Sequence, residues 1–260
     1  MAEDIKRHKS RVLRRGGYTA RFAAGAHDLM KAQRLRHQCF IKDAGLAPRA
    51  NGLEQDAFDP LCDHVLVEDA AGDLVCCFRL LHIASGADLA TSYSAQFYDL
   101  TGLSAFGEPM LELGRFCVSP TVNDPDVLRI AWGTLAAVVD ERAIGMLFGC
   151  SSFAGTDVAA YDQAFDILAA QHQAPAAWMP AIKAKHVVPF AQTAGEVTDR
   201  KTSLGQVPAL LKTYLSMGGW VSDHAVIDPE LNTLHVFTGL EIALIPPARA
   251  KALRAVAQQT

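Results

Sequence analysis

Between residues 111 and 120 the chain reads LELGRFCVSP, an apolar run in which Glu112 and Arg115 flank Leu113 and Gly114. A charge on a buried strand is costly unless it is paired or put to use. In a regular strand Glu112 and Gly114 face one way and Leu113 and Arg115 the other. Gly114 also suits a bulge, which re-aims neighbouring side chains, interrupts pairing and frees backbone groups for an extended ligand. Unrelated ion pairs would account for the two charges equally well, and the strand alone leaves both readings open.

Upstream, NGLEQDAFDPLCDH crowds Glu54, Asp56, Asp59 and Asp63 into one loop. Such a loop can be a hydrated turn, or it can attract a cationic amine. It does not fit a calcium loop, which needs a central glycine that is missing here. Arg79, inside VCCFRLL, is a second strand charge placed to answer these carboxylates across a cleft. His64 and Asp69 have HxxxxD spacing, but five residues apart on a strand they point to opposite faces. No GxSxG elbow is present. The six cysteines include no CxxC pair, which argues for reduced core thiols and against both a metal site and a disulfide framework.

The elements that must position these residues follow from periodicity. Residues 27–42 place Leu29, Ala32, Leu35, Cys39 and Phe40 at helical spacing. HVLVED and LVCCFRLL are strand runs around a Gly72–Asp73 turn, and residues 111–118 make a third. A helix is expected over 126–144 with Asp126 as its N-cap, then the strand MLFGCSSF, a helix over 157–172, a helix at VPALLKTYLSMGG, and strands at 220–227 and 234–242. Residues 175–208 carry no readable pattern. This order predicts an α/β (α+β) fold, a mixed sheet with helices against it.

The chain has 260 residues, 50% of them hydrophobic, and a net charge of −4. The length and apolar content suffice for a substantial core. No long apolar run and no secretory leader are present, which predicts a cytoplasmic protein. Residues 1–17 form a basic arm that includes Lys9, Arg11, Arg14 and Arg15, and beyond residue 15 the balance is −8. The arm suits an acidic protein or anionic lipid, or is a solvated tail. Nucleic acid fits poorly, since no aromatic residues interleave with the charges.

In order, RxxxF (Arg36, Phe40), ExDxxD (Glu54, Asp56, Asp59), CDH (Cys62 to His64), FRLL (Phe78 to Leu81) and ELGRFCV resemble GNAT-type acyltransferases that use acyl chains on acyl carrier protein. The set is shared with acyl-homoserine lactone synthases. LFGCSSFAGTD and the block LLKTYLSMGGWVSDHAVIDPELNTLHVF make the chain most similar to the ornithine lipid N-acyltransferase family. That resemblance implies a GNAT-like, mostly antiparallel sheet flanked by helices, in one domain over 18–260 with its core at about 27–172 and a C-terminal extension over about 173–260. It implies transfer of a 3-hydroxyacyl group from acyl carrier protein to the α-amine of ornithine, giving a lyso-ornithine lipid, with no cofactor beyond the carrier's 4′-phosphopantetheine thioester. Glutamine or glycine as acceptor, a homoserine lactone synthase using S-adenosylmethionine, and a non-catalytic carrier-binding module are the alternatives.

TVNDPDVLRIAW lacks the glycines that would cradle a coenzyme A pyrophosphate, which favours a protein-bound donor. The resemblance makes Glu112 the general base, since the acceptor amine is mostly protonated near neutral pH. It places Arg115 beside the base, either holding the amino acid carboxylate with Arg79 or orienting the acidic loop. Asp56 and Asp59 would attract a side-chain amine, with Arg36, Phe40 and His64 around them. Phe116, Cys117 and Val118 would meet the acyl-pantetheine and its oxyanion. Lys9, Arg11, Arg14 and Arg15 would bind the carrier, and the amphiphilic product implies peripheral contact with the inner membrane.

Overall fold

Apolar runs punctuated by Gly, Asp and Asn form strands, and longer stretches at helical spacing form helices. A computed structural model of the chain describes residues 12–193 and 200–257. In chain order the strands are β1 (Val12–Arg15), β2 (Tyr18–Phe22), β3 (Asp63–Glu68), β4 (Leu74–Ile83), β5 (Tyr98–Asp99), β6 (Met110–Val118), β7 (Met146–Ala154), β8 (Ala181–Ile182), β9 (Val187–Pro189), β10 (Trp220–Asp228) and β11 (Thr233–Glu241). The helices are α1 (Ala26–His37), α2 (Pro125–Glu141), α3 (Asp162–Gln171), α4 (Phe190–Thr193), α5 (Arg200–Gln206), α6 (Ala209–Ser216) and α7 (Pro247–Ala257). A π-helical turn, Gln38–Lys42, continues α1.

Two compact units form, each from separated segments. The first takes the described residues of Met1–Leu81, Leu113–Ala143 and Pro247–Thr260, and the second takes His82–Glu112 and Ile144–Pro246. In the first, the strand order is β1-β2-β3-β4-β6, and the β1–β2, β2–β3 and β3–β4 pairs are antiparallel. His64 lies opposite Arg79 and Leu66 opposite Cys77, so these four share one face. Onto that face α1 and its π-turn lay Ala32, Leu35, Cys39 and Phe40, against Leu66, Cys77 and Cys117. Helix α2 packs closely on α7 because Gly133 has no side chain. A Cβ there would sit 2.6 Å from Val256 Cγ1.

In the second unit, Met110–Glu112 of β6 pair in parallel with Met146–Phe148 of β7. Strand β7 pairs antiparallel with β11, β11 with β10, and β10 with β9. Phe148, Phe237 and Trp220 stack across this sheet. The chain has the expected mixed, mostly antiparallel sheet with helices, its parallel pair falling between β6 and β7.

Four features depart from the sequence reading. The cap of α2 is Asp124, whose side chain accepts the Asp126 N–H, rather than Asp126. Pro125 explains this: its fixed φ and missing N–H suit the first helical position, so the cap falls on the residue before it, two earlier than expected. The helix expected over 157–172 opens with a 3-10 turn, Val158–Tyr161, before α3. Among its described residues, the unreadable 175–208 holds short elements, too brief to carry a period. Arg14 and Arg15 belong to the β1–β2 hairpin, which the basic-arm reading did not anticipate, while Lys9 and Arg11 lie outside the described residues.

Candidate functional site

The charges of the acidic loop and the strands meet in the first unit as a closed ring. Arg36 bonds Glu54 through Nε at 2.5 Å and Asp59 through Nη1 at 2.7 Å. Arg79 grips Asp56 with two nitrogens, at 2.5 and 2.8 Å, and reaches Asp59 at 2.8 Å. Arg115 closes the circuit, with Nε on Glu54 at 3.1 Å and Nη2 on Asp56 at 3.0 Å. Three guanidiniums and three carboxylates thus alternate around one loop, each answered by two opposite charges. Paired this way, ionised groups can be buried.

Local structure puts each member in place. Arg36 projects from the last turn of α1, on the side that buries Ala32 and Gln33. Gln33 ties the loop to the helix, since its Nε2 donates to Asp59 Oδ2 and its carbonyl accepts the Glu54 N–H. His64, opposite Arg79, hydrogen-bonds the Asp59 carbonyl through Nε2 at 2.9 Å. Arg115 occupies the left-handed region at φ 52°. The distortion expected at Gly114 therefore falls one residue later. Its cost, about 1 to 3 kcal/mol, is offset by the two ion pairs it makes possible. Gly114 itself lies against Arg79, with a hypothetical Cβ 3.4 Å from Nε.

The ring shifts its own titration. Burial pushes the Asp59 carboxyl up, but donors from Arg36, Gln33 and Arg79 outweigh it and hold it at about 2. Burial also opposes ionisation of Asp56, and Arg79 and Arg115 reverse that, so its carboxyl lies below the usual range. His64 is lowered by burial. Arg36, Glu54, Asp59 and Arg79 are buried, whereas the Asp56 and Arg115 side chains retain 21% and 10% exposure. The Asp56–Arg115 edge is where the ring meets solvent.

Glu112 belongs to the second unit. Its Oε1 accepts the Ser94 N–H at 2.7 Å and the Ser94 hydroxyl at 2.6 Å, and its Oε2 accepts the Tyr93 N–H at 2.8 Å. The carboxylate thus accepts the first amides of the 3-10 turn Ser94–Gln96. Ser94 Oγ also lies 3.5 Å from Cys150 Sγ.

Of the remaining expected residues, Phe40 packs in the α1 cluster, Phe116 stacks on Phe78 at 5.3 Å, and Cys117 contacts Cys77. Arg14 is exposed, and Arg15 pairs with Asp126. Asp69 bonds the amides of its own hairpin turn, apart from His64, as the HxxxxD argument required. Sequence reasoning missed Ser94 and Tyr93 as donors to Glu112. Nothing in TSYSAQF points 18 residues ahead. Gln33 was legible only as a polar residue beside Ala32.

Residues 35–133 match the family described as an acetyltransferase (GNAT) domain. The chain is 37% identical over 229 residues to the L-ornithine N(alpha)-acyltransferase of Rhodobacter capsulatus, spanning 84% of this chain and 88% of that one. It is 30% identical over 243 residues to the enzyme of the same name from Brucella abortus, spanning 88% and 86%. FeeM, an N-acyl amino acid synthase from uncultured soil microbes, aligns over 87% of this chain and 92% of its own with a TM-score of 0.52. At 10% identity that is a likeness of fold.

Proposed function

The chain belongs to the L-ornithine N(alpha)-acyltransferase family, and we propose that it moves a 3-hydroxy fatty acyl group from acyl carrier protein to the α-amine of ornithine, releasing a lyso-ornithine lipid. It is an N-acyltransferase. The observation that carries the acceptor is kinship, because the relatives matching most of the chain are named for ornithine.

The exposed edge of the ring supports the same acceptor. Ornithine carries a carboxylate and two amines, and Asp56 beside Arg115 offers one charge of each sign within 3.0 Å. Arg115 orients the carboxylate and Asp56 the side-chain ammonium, while Arg36, Arg79 and Asp59 hold that edge in shape from inside. Arg79 and Asp59, at 2% and 3% exposure, act on substrate through Asp56 and Arg115 rather than by touching it.

Glu112, at 4% exposure, takes the proton of the α-amine through a water, and Ser94 holds the accepting carboxylate in one orientation. The amine then attacks the thioester carbonyl, the C–S bond breaks, and the pantetheine thiol leaves on the carrier. Phe116 and Val118 line the path of the acyl-pantetheine, and Cys117, whose side chain is buried under α1, can offer it only backbone. Coenzyme A is disfavoured as donor because Asp124 already caps the N-terminus of α2, where a pyrophosphate would need open amides. Of the arm residues expected to bind an acidic carrier, Arg14 on β1 is described and exposed. The reaction is placed in the cytoplasm with peripheral contact at the inner membrane. Among the described residues no helix is long and apolar enough to cross a membrane.

The test offers the purified protein 3-hydroxyacyl carrier protein with ornithine, glutamine, glycine or S-adenosylmethionine, one at a time. Thiol release and lipid mass are followed together. Release with ornithine and a matching N-acyl product is expected. Release only with another acceptor would move the acceptor assignment, and binding without release would remove the catalytic reading.

A further inference from the structure

Three cysteine side chains meet on the face of the first unit covered by α1. Cys117 Sγ of β6 lies 3.5 Å from Cys77 Sγ of β4, and Cys39 on the π-helical turn packs against the cluster that holds both. Cys39 Sγ is 3.4 Å from the carbonyl oxygen of Val118. Cys77 and Cys117 are buried and Cys39 is half-buried, so Cys39 is the member of the trio that a small solute reaches. The π-turn, a wider coil than the helix it continues, carries this thiol onto the strand that holds Cys117.

The contacts give the two sulfurs different chemistry. Donation from Cys117 holds the Cys39 thiol below its ordinary range. The same contact, with Cys77 and burial added, pushes Cys117 well above it. Attack on an oxidant needs access to it, so the half-buried Cys39 sulfur meets the oxidant first and buried Cys117 can only follow. Cys76 alternates to the other face of β4, where burial raises it too.

We propose that Cys39 is a peroxide-sensitive thiol whose oxidised form Cys117 captures as a disulfide. The Cys39 thiolate attacks hydrogen peroxide, the O–O bond breaks, and a sulfenic acid forms with loss of hydroxide, which takes up a proton to become water. The Cys117 sulfur then attacks the Cys39 sulfur, the S–O bond breaks, and the departing hydroxide takes the Cys117 proton as a second water. Two thiols are oxidised and one peroxide is reduced. The bridge ties the π-turn to β6 next to Phe116 and Val118. Its effect on rate rests on the reading that these residues meet the acyl-pantetheine; the bond itself does not.

The experiment treats the reduced, full-length protein with hydrogen peroxide. It maps cysteine peptides without reductant and measures ornithine acylation before and after dithiothreitol. A Cys39–Cys117 peptide lacking two hydrogens is expected, with a rate loss of about tenfold to a hundredfold that reductant reverses, the scale of an ångström misplacement in a site. Cys39→Ser and Cys39→Ala should each keep the basal rate and lose the sensitivity, while Cys76→Ser should keep both bridge and sensitivity. Cys39 trapped as sulfinic acid with Cys117 still a thiol, or a Cys77–Cys117 bridge in its place, overturns the proposal. A Cys39–Cys117 bridge that leaves the rate unchanged upholds the thiol pair and refutes the role given to Phe116 and Val118.

Discussion

The ring and the Glu112 cage are two ways of burying a carboxylate. In the ring, six side chains drawn from α1, the acidic loop, β4 and β6 answer charge with charge, and every member depends on two others. In the cage, a carboxylate is gripped by two amides and a hydroxyl from the adjacent residues Tyr93 and Ser94. A closed circuit of long-range ion pairs fixes shape, because loss of one member leaves two partners short. A cage of short-range dipoles orients a single group and tolerates the loss of one donor. The first is suited to building a surface and the second to aiming a base.

The contrast breaks most visibly at Arg36. Arg36→Met leaves Glu54 and Asp59 buried with one cation each, and should cost about 3 to 5 kcal/mol in urea unfolding. A loss below about 1 kcal/mol would show that the ring does not act as a unit. At Glu112 the expected damage is to rate: Glu112→Gln keeps an acceptor oxygen and should fold, while acylation falls by roughly 10² to 10⁴. Turnover near that of the parent removes Glu112 as base. Ser94→Ala should do less, about 1 kcal/mol in stability, with kcat falling while the ornithine KM holds. Ser94→Thr should recover much of the rate. A change confined to KM would instead put Ser94 in contact with the acceptor.

Most of the ring could be read from sequence, and the cage could not. Carboxylates crowded at 54, 56 and 59, with Arg79 and Arg115 stranded in apolar runs, announce a need for partners because burial of single charges is so unfavourable. The order of bonds was hidden, since it depends on the left-handed conformation of Arg115, one residue beyond the glycine that marked a distortion. The cage was invisible because its principal donors are main-chain amides, which every residue has. The same division runs through the fold. Long apolar runs declared β3, β4, β6, β7, β10 and β11, while the VLRR strand and the cationic helix α7 have too little apolar character to stand out.

Asp59 and Asp28 carry the comparison to its smallest effect. Both carboxyls are held at about 2, Asp59 against burial by the ring donors and Asp28 by Arg21, which also bridges to Glu68 outside the ring. A depressed carboxylate adds stability that is complete above its ordinary value of 3.8 and is lost as pH falls through about 2. Each Asn substitution should therefore flatten the dependence of unfolding free energy on pH between those values, by up to about 1.4 kcal/mol per pH unit and to a similar degree. At neutral pH the two variants should separate. Asp28→Asn loses one charge from a half-open pair, whereas Asp59→Asn leaves Arg36 and Arg79 each short of a carboxylate in a buried circuit and should be the less stable protein. Equal stabilities at pH 7, measured by urea titration, would mean that closing the ring adds nothing beyond the sum of its pairs.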